Sequence, residues 1–155
     1  MPLEKQIAGI LTSRKKTLSV AESCSGGLVS HRLTNVPGSS KFFKMGLTAY
    51  HNAIKTEVLK VSKSLIATHG AVSQPVACKM AENIRKIAKT DFGIGITGIA
   101  GPAGGTEAKP VGLVFIAVAN KSGVSVKKFI FAGNRLAIKS RASEEALKLL
   151  LKMIP

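Results

Sequence analysis

Apolar residues recur every three or four positions in several parts of this chain, and that spacing predicts helices. The clearest is Gln74–Ala88, where apolar positions fall at intervals of four, four and three residues and Ser73 is placed to cap the first turn. A helix over about residues 3–13 and a C-terminal helix that Asn134 begins show the same spacing. Three shorter helices are predicted between them: one that opens at the glycine pair 26–27, one over Asn52–Lys60, and one over Ser62–His69.

Shorter apolar runs lie between these helices and predict five strands. Only Lys121-Ser122-Gly123 separates the last two strands, which is typical of a tight hairpin and makes one strand antiparallel to its neighbour. Strands that alternate with helices are typical of an α/β protein with a parallel sheet. The pattern therefore predicts an α/β fold with a mixed sheet. The predicted strands are Thr17–Ala21, Met45–Tyr50, Asp91–Ile96, Leu113–Asn120 and Val124–Phe131.

The composition is that of one globular domain, residues 1–155, with 45% hydrophobic residues, six Phe, one Tyr and no Trp. This aliphatic composition suits the interior of an α/β sheet. No apolar run approaches the length of about 20 residues that spans a bilayer, and the first residues lack a signal peptide's apolar block. We therefore expect a cytoplasmic protein without membrane contact, whose two cysteines, Cys24 and Cys78, are reduced and hold no metal.

The net charge of +15 raises the question of nucleic-acid binding. The lysines are dispersed over loops and helices, and the arginines and aromatic residues that usually recognise bases and phosphates are scarce. This distribution disfavours a dedicated nucleic-acid role. It is typical of a solvated surface that also attracts anionic metabolites.

Candidate chemistry lies where the predicted parallel strands end. The segments Ser23–Gly27, Tyr50–Lys55 and Thr97–Gly105 follow three strands, and the carboxyl ends of parallel strands meet at one edge of the sheet. They carry hydroxyls, glycines and one lysine, without an Asp/His pair or a set of metal ligands. Hydrolysis there needs a serine with a lysine base, and burial must lower the lysine pKa for Lys55 to act so. The alternatives are an ordinary strand-to-helix turn at residues 21–27 and a solvated Lys55.

Two further side chains near the first of these segments have expected roles. Glu22 is placed in a buried position, where an acid needs a salt bridge or a hydrogen bond from a loop amide. Cys24 has no paired histidine and is interpreted as a small buried residue rather than a nucleophile.

Five ordered motifs resemble the CinA C-terminal domain family, whose stand-alone members are nicotinamide-nucleotide amidohydrolases. They are AESCSGG, VPGSS, AYHNAIK, HGAVSQPVA and TGIAGPAGGTEAKPVG, and the similarity covers roughly residues 17–150. The resemblance implies conversion of nicotinamide mononucleotide to nicotinate mononucleotide and ammonia by a Ser/Lys dyad, with no metal or cofactor. It also implies a three-layer α/β/α fold with a five-stranded mixed sheet of order 2-1-3-4-5, strand 4 antiparallel, and self-association into a homo-oligomer. In many relatives a molybdopterin-binding-like domain precedes this one, and we expect its activity to be absent.

The family's motif lysine is Lys55, and Ser23 is the preferred nucleophile because strand 1 lies beside strand 2. Ser40 is the rival, although simple topology puts it at the opposite edge of the sheet. Asn134 and Lys139 replace an acid and an arginine of the family pattern near Arg135, the residue expected to hold the phosphate. The alternative function is a non-catalytic nucleotide sensor or a competence- or repair-associated binding protein. The resemblance implies these substrate-binding residues: Ser25, Gly26, Gly27, Tyr50, Asn52, Thr97, Gly98, Gly101, Lys109 and Arg135.

Overall fold

A computed structural model describes all residues, 1–155, as a five-stranded sheet between two layers of helices. The strand order is β2-β1-β3-β4-β5; β1, β2 and β3 are parallel, and β4 is antiparallel to both of its neighbours. This is the predicted three-layer α/β/α fold with its mixed sheet. The strands are β1 Leu18–Glu22, β2 Phe43–Thr48, β3 Phe92–Gly98, β4 Leu113–Asn120 and β5 Gly123–Ile130. The helices are α1 Leu3–Ser13, α2 Leu28–Thr34, α3 Asn52–Glu57, α4 Lys63–His69, α5 Gln74–Ala88 and α6 Arg135–Met153, with a 3₁₀ turn at Ser39–Lys41.

Helices α1, α2 and α6 cover one face of the sheet, and a cluster of 22 buried residues fills the space between them. Alternate residues of the central strands point into it, among them Leu18 and Val20 of β1 and Ile94 and Ile96 of β3. Large aliphatic side chains therefore separate this helical layer from the sheet. None of the helices has both the length and the apolar character that crossing a membrane requires.

The opposite face, covered by α3, α4 and α5, is built differently where α5 meets β3. Gly93 and Gly95 of β3 face α5, and a side chain on either glycine would collide with helix backbone, including the carbonyls of Ala77 and Ala81. A small cluster of alanines continues this contact onto β4. Helix α5 therefore lies almost directly on the backbone of the sheet.

Three predicted local features differ from the structure. Strand β2 lies two residues earlier than predicted, because its pairing with β1 runs from Phe43 to Thr48 and ends with a bond from the Ala49 amide to the Glu22 carbonyl. Helix α3 ends at Glu57 rather than at Lys60, whose backbone adopts a positive φ of 63° that no α-helix accommodates. Ser73 precedes α5 but does not cap it, since its hydroxyl donates to the Gly70 carbonyl at 2.8 Å.

Candidate active site

The carboxyl ends of β1 and β2 bring Ser23 and Lys55 together. Ser23 is the first residue after β1, and its backbone N–H donates to the Ile96 carbonyl of the neighbouring β3. Lys55 lies in the last turn of the short helix α3, which follows β2, and its amine reaches back over the strand ends. The Lys55 Nζ lies 2.9 Å from Ser23 Oγ and donates to the Tyr50 carbonyl at 3.0 Å. The structure therefore contains the Ser/Lys contact that the strand order predicts.

The Lys55 amine is buried, with 2% of the residue exposed, and no carboxylate pairs with it. Burial lowers the Lys55 pKa from its ordinary value of 10.5, because an apolar environment disfavours the charged form. A neutral amine has a lone pair that accepts a proton, and the nearest hydroxyl is that of Ser23. The pair can therefore act as nucleophile and general base.

A cavity of about 270 Å³ opens above this pair. Its wall contains no Asp or Glu, so its fixed charge can only be positive. Such a cavity favours a ligand that carries negative charge. The lining residues are Ser23, Cys24, Tyr50, Asn52, Lys55, Ala71, Val72, Thr97, Gly98, Ile99, Ala100, Gly101, Ala103, Gly104 and Arg135.

Arg135 and Tyr50 meet at one side of the cavity. The Arg135 guanidinium donates to the Tyr50 hydroxyl and to the Gly101 carbonyl, both at 2.7 Å. The Tyr50 residue is 55% exposed, so its ring is not part of the core. A planar aromatic ligand can stack on this ring while an anionic group reaches the guanidinium.

The end of β3 and the loop after it form another part of the wall. The Thr97 hydroxyl donates to the Ala71 carbonyl at 2.8 Å and joins the end of β3 to the segment before α5. Gly98 has no space for a side chain, since a Cβ there would lie 2.7 Å from both the Leu113 carbonyl oxygen and Val114 Cγ2. The glycine thus allows the backbone of β3 to approach the first residues of β4.

Backbone amides along the cavity wall provide hydrogen-bond donors. The N–H groups of Cys24, Ala100 and Gly101 donate to no acceptor within the protein. Unpaired amides that line a cavity are suited to stabilise an oxyanion. The described chain contains no group of three or more His, Cys, Asp or Glu side chains able to hold a metal ion.

The segment AESCSGG, which leads from the end of β1 into α2, contains two buried titratable side chains, Glu22 and Cys24. Glu22 is 1% exposed and accepts hydrogen bonds from the amides of Val29 and Ser30, as the sequence predicts for a buried acid, but it forms no salt bridge. Cys24 is buried, and burial is the main reason that its pKa rises to about 12. Its thiol therefore stays protonated at neutral pH, as expected for a buried residue rather than a nucleophile.

Comparison with known proteins identifies the family of this chain. The model of the CinA C-terminal domain matches residues 1–154. The chain belongs to the CinA C-terminal domain family. It is 48% identical over 153 residues to a CinA-like protein of Syntrophus aciditrophicus and 49% identical over 152 residues to one of Koribacter versatilis, covering 98% of this chain in both cases. These matches cover only 36% and 37% of the two relatives, so the chain spans a little over a third of their length.

Crystal structures of CinA proteins show the same fold. The competence/damage inducible protein CihA from Agrobacterium tumefaciens has a TM-score of 0.95 and 35% identity, covering 97% of this chain and 92% of that one. A competence-damaged protein (CinA) superfamily protein from Escherichia coli has a TM-score of 0.93 and 31% identity, covering 97% and 88%. The strand order and the antiparallel β4 described above are therefore those of CinA proteins.

Several residues expected to bind substrate in this CinA domain do line the cavity. Tyr50, Asn52, Thr97, Gly98, Gly101 and Arg135 all contribute to its wall, as do Ser23 and Lys55.

The other predicted residues of the CinA site lie elsewhere. Ser40 belongs to the 3₁₀ turn before β2, at the edge of the sheet opposite Lys55, and the structure does not bring it to the cavity. Ser25 is fully buried and its hydroxyl donates to Glu22 Oε1 at 2.7 Å, away from the cavity. Gly26 and Gly27 have positive φ values of 62° and 96° and turn the chain into α2 without lining the cavity.

Lys109 also lies outside the cavity of this CinA domain. Its amine donates to the His69 carbonyl at 2.6 Å and ties the long glycine-rich loop to the end of α4, so it does not line the cavity. Conversely, Ala71 and Val72 line the cavity although they were not predicted to do so. The motif HGAVSQPVA, which contains both, was the sequence signal that could have found them.

Proposed function

We propose that this domain hydrolyses the carboxamide of nicotinamide mononucleotide to nicotinate mononucleotide and ammonia. The observation that carries the proposal is the 2.9 Å contact between Lys55 Nζ and Ser23 Oγ in a cavity without carboxylates. Burial lowers the Lys55 pKa, and a base of lowered pKa beside a hydroxyl is what activates a serine nucleophile.

In the proposed reaction, Ser23 Oγ forms a bond to the carboxamide carbon while its proton moves to Lys55 Nζ. Amide N–H groups at Cys24, Ala100 or Gly101 stabilise the negative charge on the former carbonyl oxygen. When the C–N bond breaks, the nitrogen takes the proton from Lys55 and leaves as ammonia. Lys55 then removes a proton from water, the water oxygen attacks the ester carbon, and Ser23 recovers its proton as nicotinate mononucleotide is released.

The rest of the cavity suits the remainder of the mononucleotide. The exposed ring of Tyr50 offers a face for the pyridinium, a cation that aromatic faces attract. Arg135 offers a planar guanidinium for the phosphate, and it would exchange its bonds to Tyr50 and Gly101 for bonds to phosphate oxygens. A substrate without the phosphate should therefore bind more weakly.

The test is ammonia release by the purified protein in the presence of a chelator, with nicotinamide mononucleotide and with nicotinamide riboside, which lacks the phosphate. We expect release from the mononucleotide, a higher KM for the riboside, and no release by Ser23→Ala. Ser40→Ala is the matched control, because it removes a hydroxyl of the same size at the other edge of the sheet and should retain full activity. Release that stops with the chelator and returns with zinc would contradict the proposal.

A non-catalytic sensor of nucleotides is the second candidate, because the names of related proteins refer to competence and damage rather than to an enzyme activity. Such a protein would bind the same ligand in the same cavity without turnover. Calorimetric binding of nicotinamide mononucleotide that releases no ammonia would identify it.

A further inference from the structure

The carboxylate of Glu22 is a buried charged group that the proposed reaction does not use. It accepts four hydrogen bonds: from Ser25 Oγ at 2.7 Å, from the Val29 amide at 2.9 Å, and from the Ser30 amide and hydroxyl at 3.1 Å each. No cation pairs with it, and only 1% of the residue is exposed. An acid retained in this position needs every one of these donors, because an unpaired buried charge is costly.

These bonds join the two ends of the turn that carries Ser23. Helix α2 begins at Leu28 after Gly27, which has no side chain to cap the helix, and the Glu22 carboxylate binds the second and third amides of the first turn instead. The bond from Ser25 holds the middle of the turn to the same carboxylate. The end of β1, the turn and the start of α2 are thus fixed to one group.

Glu22 and Ser23 point to opposite faces of the sheet, since successive residues of a strand alternate. Ser23 contacts Lys55 of α3 on one face, whereas Glu22 contacts α2 on the other. Glu22 does not line the cavity. Any influence of Glu22 on the reaction must therefore pass through the backbone of the turn. Within this turn the Ser23 carbonyl accepts a hydrogen bond from the Gly26 amide.

We propose that Glu22 is a positioning residue that holds the Ser23 hydroxyl at Lys55 by fixing the turn from the opposite face of the sheet. The proposal rests on the proposed role of Ser23 as the nucleophile. Glu22→Gln is the informative change, because a carboxamide keeps the shape but its NH₂ group, in either orientation, faces a backbone amide donor, that of Val29 or that of Ser30. The turn would then lose one of its anchors without losing volume.

The experiment measures the reactivity of Ser23 directly. A fluorophosphonate forms a P–O bond with Ser23 Oγ and releases fluoride, and mass spectrometry of the intact protein gives the labelling rate without any assumed substrate. Glu22→Gln and Ser25→Ala are compared with the wild type, and kcat, KM and the pH profile for ammonia release are measured in parallel. Ser19→Ala is the matched control, since it removes a buried hydroxyl bonded to Thr90 at 2.7 Å at the far end of β1.

We expect Glu22→Gln to lower the labelling rate and kcat by about 10- to 100-fold, because small displacements of a reacting group cost about this much. KM and the midpoint of the pH profile should not change, since neither the cavity nor Lys55 is altered. Ser25→Ala should slow labelling in the same direction and decides the question if Glu22→Gln does not fold. Ser19→Ala should lower the melting temperature but leave the labelling rate of the folded protein intact.

Wild-type labelling in both folded turn variants would overturn the proposal, and so would slow labelling accompanied by a shifted pH midpoint, which indicates an electrostatic role for Glu22. A wild-type protein whose Ser23 does not react also overturns it. Labelling of Ser23 without ammonia release, in contrast, refutes the proposed substrate and leaves the positioning role to be decided by the variants' labelling rates.

Discussion

Replacement of Lys55 by methionine separates the chemistry of the site from its packing. Methionine has nearly the length and volume of lysine but no amine, so it fills the same space beneath the cavity without a base. The change removes two hydrogen bonds, one with Ser23 Oγ and one to the Tyr50 carbonyl. It leaves the rest of the cavity wall, including Arg135, in place.

The expected effects on rate and stability differ in size. A general base typically contributes about 10²- to 10⁴-fold to the rate, which corresponds to about 3 to 5 kcal/mol of transition-state stabilisation. Loss of the two hydrogen bonds costs about 1 kcal/mol each in the free energy of unfolding. Against this, Lys55→Met removes an amine whose charged form burial disfavours. The free energy of unfolding should therefore change by less than about 2 kcal/mol.

The assay couples ammonia release from nicotinamide mononucleotide to glutamate dehydrogenase, and urea denaturation followed by circular dichroism gives the stability. Lys86→Met is the control, because Lys86 is exposed on α5 and remote from the cavity. A folded Lys55→Met protein that retains more than about a tenth of the wild-type kcat would remove Lys55 from the mechanism.

Three further outcomes follow from the same site. Because burial lowers the Lys55 pKa below 10.5 and the neutral amine is the active form, kcat should rise with pH and level off before pH 10.5; a rate still rising through 10.5 would contradict this. With its pKa raised to about 12, Cys24 should resist iodoacetamide at neutral pH in the folded protein and react after unfolding, as mass spectrometry can show. Gly98→Ala should lower the free energy of unfolding by about 1 to 3 kcal/mol, because its Cβ would lie 2.7 Å from the Leu113 carbonyl; an unchanged urea midpoint would refute this steric reasoning.

Elements whose signals are local in sequence were predictable. Helix α5 has the predicted bounds, Gln74–Ala88, because apolar spacing and a proline in its first turn both act within the helix. The Asn134 side chain accepts from the Ala137 amide at 2.9 Å, which confirms the predicted cap of α6. The start of β2 was not predictable in the same way, because a strand end depends on the neighbouring strand.

The site also contains some features that were predictable from the sequence and others that were not. The contact between Ser23 and Lys55 was predictable because both follow parallel strands that end at one edge. The burial of Ser25 depends on the direction of its side chain in the turn after β1 and on Glu22 as acceptor. The contact of Lys109 with the His69 carbonyl joins residues 40 positions apart, and sequence spacing gives no signal for it.

The close contact between α5 and β3 affects where in this protein substitutions are tolerated. Helix α5 lies on the backbone of β3 at Gly93 and Gly95, while the segment before α5 and the end of β3 contribute Ala71 and Gly98 to the cavity wall. Since backbone contacts backbone at Gly93 and Gly95, the distance between α5 and β3 is set by peptide dimensions rather than by the volumes of exchangeable side chains. Substitutions that repack the aliphatic side chains between α6 and the sheet can therefore accumulate without changing the distance between α5 and β3 beside the cavity.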